Sequence, residues 1–541
     1  MLTHIFQKLA SRNLAIVNGL LALWMTCLAN TSFLHQLYTL TPYNGLKAGV
    51  FLVSAFILLW AYLNLLLQLI TWGFLARPLQ SLLLFFCAFG AYSVDTFGVG
   101  IEVGQIQNLM QTDLNEARDL LNWHLFAYVL IIMILPMYWL WRKPLQKQTF
   151  FSSLKHRLYG SALSLVLIGS VAMLFYVDYA AIFREHRSVR FSVNPTNSIN
   201  AFTNYFQRHV TIKKLPLVRY GEDAKRHQIP QGKPTLMVLV VGETARAESF
   251  SLNGYARNTN PELSQKPLIN FSQASSCGTA TAVSLPCMFS GFTRKNYDDE
   301  LANHREGLLD VLQRAGYQVT WIDNNSGCKG ACDRVTNIPL LPHRTTTWCI
   351  DGECQDDLLL ETFNDYVNNA PVADRVIVLH HAGSHGPAYY RRYPKAFEKF
   401  TPVCNTNAIQ GCSQQALINT YDNTILYTDY IVAQTIDTLI KDAKDYQTAL
   451  WYVSDHGEST GERGLYLHGT PYMFAPSQQT HIPMFAWFSP NFAFTHAQAQ
   501  QCLKQKQSVP VAHDNLFHTM LGLLGVSTSV YERDLDLSWC E

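Results

Sequence analysis

The sequence has few charged residues and almost no excess of either sign. Asp, Glu, Lys and Arg make up 15% of the 541 residues, and the formal net charge is +1. A typical soluble protein has roughly 25% charged residues, and the chain is too long for one ordinary domain. No basic stripe is present, which argues against nucleic acid as a partner.

Charge and cysteine are both scarce in the first third of the chain. Sixteen charged residues lie among the first 180 positions and 65 among the remaining 361. Of the 12 cysteines, only Cys27 and Cys87 lie in this apolar part, and the other ten lie between Cys277 and Cys540. An even, clustered set of cysteines is typical of an oxidising compartment. The chain therefore divides into a membrane part and a part that folds in oxidising surroundings.

The first 180 residues contain five apolar stretches, each near the roughly 20 residues that a helix needs to cross a bilayer. They are 13–30, 48–70, 79–99, 123–141 and 159–180. Trp and Tyr recur at their ends, as in the aromatic belts of membrane proteins. The first stretch lacks a small-residue cleavage site, so it is not interpreted as a signal peptide. The pattern predicts an N-terminal bundle of five transmembrane helices rather than buried helices of a soluble domain.

The loops between these stretches predict the orientation in the membrane. Lys8, Arg12, Arg77 and the basic loop 142–157 mark the cytoplasmic side. The loop 101–122 instead carries four acidic residues and one Arg. An odd number of spans then places the rest of the chain outside the cytoplasm. The predicted location is a multi-pass protein of a bacterial inner membrane with its C-terminal domain in the periplasm.

The exterior part begins with residues 181–230, which we interpret as a linker with an interfacial helix, although a plain connector explains them as well. Residues 231–541 are predicted to form the catalytic domain. Four short apolar runs alternate there with amphipathic segments, at 235–242, 317–323, 374–381 and 448–455. Strands alternating with helices predict an α/β domain around a mostly parallel sheet.

Three of these runs lead directly into polar residues. Ligands of open α/β sheets bind beyond the carboxyl ends of the strands, so these residues are predicted to meet at one site. Glu243, His385, Asp455 and His456 are oxygen and nitrogen ligands that suit zinc. His468 and, more weakly, His481 are further candidates. For an Asp-His pair alone, a structural histidine is the better interpretation, but the additional strand-end residues favour a metal site.

The segment 275–291 contains the candidate nucleophile. Small residues there precede an apolar helical segment, so Thr281 would lie near a helix N-terminus, which attracts phosphate. Coordination to zinc is one way to activate a hydroxyl as a nucleophile. A helix-capping threonine without chemistry is the alternative, and the residues alone do not choose Thr281 over Thr279 or Ser284.

These motifs together resemble those of the phosphoethanolamine–lipid A transferases, an integral-membrane branch of the alkaline phosphatase and sulfatase-like superfamily that includes the mobile colistin resistance enzymes. The resemblance covers the five spans, the linker and the segments GETAR, SCGTATAVSLPCMFS, HHAGSHGPAY and SDHGES. It implies zinc-dependent transfer of phosphoethanolamine from phosphatidylethanolamine to a phosphate of lipid A, with resistance to cationic peptides such as polymyxin. Membrane lipids are thus the partners, and a monomer is expected.

The resemblance also implies roles for single residues. Thr281 would be the nucleophile, and one zinc would be held by Glu243, Thr281, Asp455 and His456. A second zinc, or the substrate phosphate, would be bound at His385 and His468. Lys329 would lie near the phosphate, and Asn108 and Glu116 would contact the lipid headgroup; a solvated lysine and an exposed helix surface are the alternatives. His381 stands where other members often carry Gln, which affects none of these ligands.

Proximity in the sequence suggests five disulfides, and family members have sequential bridges of this kind. The pairs are Cys277–Cys287, Cys328–Cys332, Cys349–Cys354, Cys404–Cys412 and Cys502–Cys540. Sequence does not fix connectivity by itself, and a structural zinc site in CKGAC and CIDGEC is the alternative.

Three other functions stay open at this point. The same chemistry could use another acceptor, such as a core-sugar heptose or a periplasmic glucan. A phosphatidylglycerol-dependent phosphoglycerol transferase has the same build. A membrane-tethered sensor with a degenerate phosphatase fold is the non-enzymatic alternative.

Overall fold

The computed structural model describes residues 13–98, 100–112, 114–142, 145, 149–212, 216–227, 232–340, 347–350 and 353–540. The chain forms two compact units. One contains Met1–Ile106 and Leu121–Asn204, and the other contains Gln107–Leu120 and Tyr205–Glu541. The second unit is therefore discontinuous in sequence, because part of the loop after the third apolar stretch belongs to it.

The N-terminal part of the chain is helical. Its helices are α1 (Leu14–Leu28), α2 (Thr31–Thr39), α3 (Gly45–Ile70), α4 (Ala76–Phe97), α5 (Val103–Gln111), α6 (Leu114–Leu120), α7 (Trp123–Tyr128), α8 (Leu135–Arg142), α9 (Phe150–Glu185) and α10 (Thr196–Ile212). A π-helical segment, Val129–Ile134, joins α7 to α8.

Among the described residues, four helical segments are long and apolar enough to cross a membrane, and a bent pair of helices passes the same criterion if it is counted as one span. The four are Gly45–Ile70, Gly73–Phe97, Trp123–Arg142 and Phe150–Glu185. Helices α1 and α2 are bent by 59° at a short break and count as the fifth only if the pair is one span. The predicted membrane bundle is confirmed with four to five apolar helices, but the first predicted stretch ends in a break after α1, where the chain turns by 59° into α2.

A buried polar network packs inside this unit. Asn18 Nδ2 donates to Gln68 Oε1 at 3.2 Å and to Thr71 Oγ1 at 3.0 Å, and Asn18 Oδ1 accepts from Gln80 Nε2 at 2.8 Å. Asn64 Nδ2 donates to Ser164 Oγ at 2.8 Å. Interhelical hydrogen bonds of this kind hold helices together where lipid gives no hydrophobic driving force.

The second unit is built on a seven-stranded sheet. In spatial order its strands are β3 (Ile269–Asn270), β14 (Met484–Phe488), β10 (Gln447–Ser454), β2 (Thr235–Gly242), β9 (Arg375–His380), β5 (Gln318–Asp323) and β6 (Thr336–Pro339). The five from β10 to β6 are parallel, whereas β14 and β3 are antiparallel to their neighbours. The predicted α/β domain with a mostly parallel sheet is confirmed.

Smaller sheets and helices complete this unit. The short strands are β1 (Lys225–Arg226) with β16 (Val526–Ser527), β7 (Cys349–Ile350) with β8 (Glu353–Cys354), β11 (Ser459–Thr460) with β12 (Tyr466–Leu467), and β4 (Ala274–Ser275) between β13 (His481–Ile482) and β15 (Val511–Ala512). The helices are α11 (Thr281–Ser290), α12 (Asp299–Asn303), α13 (Leu308–Arg314), α14 (Asp357–Asn369), α15 (Gln414–Asp442), α16 (Ser477–Thr480), α17 (Pro490–Thr495), α18 (Ala497–Gln505) and α19 (Leu516–Leu523).

The residues of the central strands are almost all buried, which shows that the sheet is covered on both faces. The strands β2, β9 and β10 read as continuous apolar runs, as expected for parallel strands packed between layers. Five disulfides join Cys277–Cys287, Cys328–Cys332, Cys349–Cys354, Cys404–Cys412 and Cys502–Cys540.

Candidate active site

The carboxyl ends of β2 and β10 bring the first candidate residues together. Gly242, at the end of β2, pairs with Ser454 at the end of β10, so Glu243 and Asp455 follow at adjacent positions. The backbone N–H of Thr244 donates to Asp455 Oδ1 at 3.1 Å and fixes that carboxylate. Gly383 has a φ of +56°, and a Cβ there would lie 2.6 Å from the Glu243 carbonyl oxygen. Only glycine lets this loop approach so closely.

Glu243, Asp455 and His456 form a buried group suited to a metal ion. One ligand atom from each lies within 4.8 Å of the others. His456 Nδ1 lies 2.9 Å from the Gly457 carbonyl oxygen, which can only accept, so Nδ1 carries the proton and Nε2 has its lone pair free. That nitrogen lies 3.6 Å from Glu243 Oε1 and 3.3 Å from Asp455 Oδ2.

The electrostatics of Glu243, Asp455 and His456 favour a bound cation. Asp455 Oδ2 is buried and has no hydrogen-bond donor among the described residues. Burial lowers the pKa of His456 to about 4, so its ring stays neutral at physiological pH. Two carboxylates and a lone pair that face one another without a compensating charge are unfavourable. The residues present therefore fit a divalent ion with nitrogen and oxygen ligands, as zinc prefers.

Thr281 lies beside this group at the first residue of α11. Its Oγ1 is 3.2 Å from each carboxylate oxygen of Glu243 and 3.3 Å from His456 Nε2. Its side chain is buried, with 5% of the residue exposed. The helix N-terminus has no side-chain cap. The N–H groups of Val283 and Ser284 donate to the Ala280 carbonyl oxygen at 3.0 and 2.9 Å, so the N–H groups of Thr281 and Ala282 are the ones that can face an anion. The hydroxyl of Thr281 therefore lies both beside the ligand group and at the N-terminus of α11.

The two alternative nucleophiles have other partners. Thr279 Oγ1 donates to the Thr470 carbonyl oxygen at 2.7 Å. Ser284 Oγ donates to the Asp455 carbonyl oxygen and accepts from the Gly278 N–H at 3.2 Å. Both hydroxyls support the backbone around the site, and among these three hydroxyls only that of Thr281 hydrogen-bonds to side chains of the ligand group.

Two further predicted residues lie next to the group. The rings of His456 and His468 are 4.6 Å apart between centroids, and those of His468 and His385 are 5.2 Å apart. His468 Nδ1 lies 3.3 Å from Glu458 Oε2. Burial, helped by the nearby His468 and Arg392, lowers the pKa of His385 well below its ordinary value. His385 is therefore a neutral ring, suited to binding an oxygen or a metal.

The structure places the remaining predicted residues at varying distances from this group. Lys329 Nζ donates to the carbonyl oxygens of Ser326 at 2.9 Å and Gln111 at 3.1 Å. It is one of the charges that lower the pKa of His385, so it lies near the site. His481 Nε2 lies 2.9 Å from the Ser272 carbonyl oxygen in the small sheet, outside the three-residue group.

The predicted headgroup contacts lie on α5 and α6. Asn108 is partly buried on α5, and its neighbour Gln107 donates through Nε2 to the Ala282 carbonyl oxygen at 3.3 Å. Glu116 lies in α6, but its side chain is outside the described residues.

Sequence reasoning missed two residues that contact the predicted ones. Asn325 Nδ2 donates to Glu243 Oε2 at 2.8 Å and to the His381 carbonyl oxygen at 2.9 Å. Asn325 follows β5, so the strand-end argument could have found it. Glu458 lies in the same motif as His456 but was not singled out, because its partner His468 lies across a hairpin.

Comparison with known proteins agrees with this geometry. The family model Sulfatase matches residues 235–526, and the model Phosphoethanolamine transferase EptA/EptB matches residues 59–210. The chain is 42% identical to phosphoethanolamine transferase EptA of Escherichia coli K12, over 98% of this chain and 97% of the relative.

Two solved structures are informative. The integral membrane lipooligosaccharide phosphoethanolamine transferase A from Neisseria meningitidis has a TM-score of 0.94 at 37% identity, covering 97% of this chain and 98% of that one. The C-terminal periplasmic domain of EptC from Escherichia coli, in complex with zinc, has a TM-score of 0.50 at 25% identity, covering 60% of this chain and 91% of that one. The resemblance seen in the sequence motifs is confirmed, and the chain belongs to the phosphoethanolamine transferase family.

Proposed function

We propose that the chain transfers phosphoethanolamine from phosphatidylethanolamine to a phosphate of lipid A through a covalent intermediate on Thr281. The observation that supports this best is the position of Thr281 Oγ1, which lies 3.2 to 3.3 Å from Glu243 and His456 at an uncapped helix N-terminus. The family and its lipooligosaccharide-modifying member support the transferred group and the class of acceptor.

Zinc is the proposed cofactor, held by Glu243, Asp455, His456 and the Thr281 hydroxyl. The oxygen Asp455 Oδ2, which has no donor among the described residues, and the neutral imidazole of His456 suit that ion, and a relative in the same family has been solved with zinc. When bound, zinc supplies positive charge that polarises a phosphate oxygen and lowers the pKa of the threonine hydroxyl. A second ion at His385 and His468 stays part of the proposal.

The side chains of the protein position the reacting groups. Glu243 accepts a hydrogen bond from the Thr281 hydroxyl, which holds Thr281 Oγ1 in place at the first residue of α11. The N–H groups of Thr281 and Ala282, at the start of α11, bind the phosphate in this proposal, with Lys329, His385 and His468 at its side. Asn108 and Glu116 are proposed to contact the donor headgroup. Most of the rate enhancement is expected from such positioning and charge neutralisation.

Each half-reaction exchanges one phosphorus–oxygen bond. In the first, Thr281 Oγ bonds to phosphorus, the bond to the glycerol oxygen breaks, and diacylglycerol leaves with the proton that the hydroxyl gave up. In the second, a phosphate oxygen of lipid A bonds to the same phosphorus, the bond from phosphorus to Thr281 Oγ breaks, and Thr281 takes up the proton that the attacking hydrogen phosphate gives up. The product carries an ammonium group that offsets phosphate charge, which reduces the attraction of polymyxin-like peptides.

We place the phosphoryl transfer in residues 231–541, after a transmembrane domain in 1–180, whose loop contains Asn108 and Glu116, and a linker in 181–230. The protein is a bacterial inner-membrane protein with a periplasmic catalytic domain. One solved relative is an integral membrane protein and another is a C-terminal periplasmic domain, which supports this location. The same geometry would serve another acceptor, such as a core-sugar heptose or a periplasmic glucan. A degenerate sensor is disfavoured because the complete ligand group is present.

The full chain in detergent, incubated with phosphatidylethanolamine and no acceptor, should release diacylglycerol and gain one phosphoethanolamine. Peptide mass spectrometry should map the adduct to Thr281. Thr281→Ala should gain nothing, whereas Thr279→Ala, a matched control two residues away, should keep the adduct. Adding lipid A should discharge it. An adduct on another residue, or full turnover by Thr281→Ala, would refute the nucleophile assignment.

A further inference from the structure

We propose that His513 is a positioning residue for the nucleophile, a buried neutral imidazole that fixes the backbone of the Thr281 segment to the strand end that carries Asp455 and His456. The inference deepens the proposed function and rests on it, since it concerns the same nucleophile. His513 comes from the C-terminal part of the chain and directly contacts neither the phosphate position nor the ligand group.

Three contacts define the role of His513. Its Nδ1 lies 3.1 Å from the backbone nitrogen of Cys277 and 3.4 Å from Ser284 Oγ. Its Nε2 lies 2.9 Å from the carbonyl oxygen of Ser454, the residue before Asp455. One ring therefore joins the start of the nucleophile segment to the end of β10.

These partners determine the tautomer of the ring. A backbone carbonyl can only accept, so Nε2 carries the hydrogen; a backbone N–H can only donate, so Nδ1 offers its lone pair. Burial lowers the pKa of His513 to about 4, which keeps this form across the physiological pH range. Only 1% of the residue is exposed, so water cannot replace either bond. The ring is suited to holding two backbone groups and not to proton transfer.

The local architecture brings His513 to this point. Strand β15 runs parallel to β4, with Val511 opposite Ala274 and Ala512 opposite Ser275. His513 and Cys277 thus follow the paired strands on the same side. The disulfide of Cys277 to Cys287 and the bond from Gly278 N–H to Ser284 Oγ close the segment further. His513 is the link from this closed segment to β10.

A displaced segment should reduce turnover more than substrate binding. An error of about 1 Å in the position of a reacting group can lower a rate by about 10²-fold. We therefore expect His513→Ala to lower kcat by about 10- to 100-fold with little change in KM for phosphatidylethanolamine. Zinc content should stay near that of the wild type, because none of the proposed ligands is removed.

His518 provides a matched control in the next helix. It is also a fully buried histidine, and burial lowers its pKa to about 4 as well. Its Nδ1 accepts from the Glu532 N–H at 2.9 Å, remote in sequence from the nucleophile segment. His518→Ala should lower the Tm by an amount similar to His513→Ala but leave kcat within about twofold of the wild type.

Two conservative variants separate the bonds. In His513→Asn the side-chain oxygen takes the place of Nδ1 and can accept from Cys277, whereas in His513→Gln the amide takes the place of Nε2 and can donate to Ser454. Asn should restore more of kcat than Gln. If His513→Ala fails to fold, the comparison of His513→Asn with His513→Gln still tests the proposal.

The experiment measures four quantities on the full-length variants: the rate of diacylglycerol release, zinc content, Tm, and hydrogen exchange of the peptide containing residues 276–284. Exchange in that peptide should rise in His513→Ala and not in His518→Ala. Equal kcat losses in both alanine variants at equal Tm, or a better rescue by Gln than by Asn, would overturn the proposal. If the wild type itself releases no diacylglycerol, the proposed function fails, whereas unchanged exchange in His513→Ala refutes the role of His513.

Discussion

At the scale of single residues, the candidate site places groups close together that repel one another when no cation is bound. Glu243 and Asp455 hold two carboxylates beside the lone pair of His456, an arrangement that a divalent cation stabilises. Thr281 adds a hydroxyl to the same point. The ligands act as one unit, so each is needed for the others to function.

Removal of one ligand should therefore abolish both metal binding and turnover. Asp455→Ala or Glu243→Ala should lower the zinc content of the purified protein and eliminate diacylglycerol release. The double variant should be little worse than either single one, because residues that act as a unit are not additive. Metal analysis of the purified proteins checks this, and wild-type turnover in either single variant would contradict the zinc proposal.

A residue one step further from the metal should have a graded effect. Asn325 orients the Glu243 carboxylate, and loss of such an outer partner typically lowers metal affinity by about 10- to 100-fold. Asn325→Ala should show that loss in a zinc-competition titration while still binding zinc at saturation. Asn337→Ala, on the exposed edge strand β6, should titrate like the wild type.

At the scale of elements, the part of the site that the sequence could predict consists of residues at the carboxyl ends of strands. Glu243, Asp455 and His456 each follow an apolar strand, so their convergence could be predicted from position alone. The partners of His513 could not, because Cys277 lies 236 residues earlier and no local pattern relates the two. The bend between α1 and α2 was also missed, since composition shows length and polarity but not helix direction.

The long helix α15 contains a carboxyl that should make stability depend on pH. Asp429 accepts from the N–H groups of Glu262 and Leu263 at 2.9 and 3.0 Å, and burial raises its pKa to about 7. The folded state therefore binds this proton more tightly than the unfolded state, whose carboxyl has an ordinary pKa near 3.8. The resulting contribution to stability is fully present below pH 3.8 and is lost as the pH rises to about 7.

Asp429→Asn cannot ionise and keeps one oxygen acceptor. The difference in free energy of unfolding, Asp429→Asn minus wild type, should increase as the pH rises from 4 to 7. The increase should be about 1.4 kcal/mol for each unit by which the pKa of Asp429 in the folded state exceeds that in the unfolded state. Denaturant titrations of both proteins at several pH values measure this gain. Asp437→Asn, on the same helix at a surface ion pair with Lys266, should show no such growth.

At the scale of the whole molecule, the two compositions of the chain correspond to two kinds of surroundings. The apolar helices suit a bilayer, and the ten paired cysteines suit an oxidising compartment. The direction of insertion follows from loop charge, which the fold itself does not record. The expectation of a monomer stays a prediction.

Fusions to a reporter enzyme that works only outside the cytoplasm test this orientation. A fusion after residue 185, at the end of α9, should be active, and one near residue 150, beside the basic loop, should be inactive. The reverse pattern would place the disulfides in a reducing compartment and contradict the assignment of the catalytic domain to the periplasm.

The discontinuity of the second unit bears on how inhibitors are sought. A truncated protein that begins after residue 204 lacks the segment Gln107–Leu120, which belongs to the same unit. It loses Asp119, whose carboxylate lies 3.4 Å from Arg391 and 3.6 Å from Arg392, and the carbonyl oxygen of Gln111 that Lys329 contacts. In such a fragment Arg391 and Arg392 lack the carboxylate of Asp119, so compounds selected on it could bind cations that are paired in the complete protein. Screens should therefore use the complete chain.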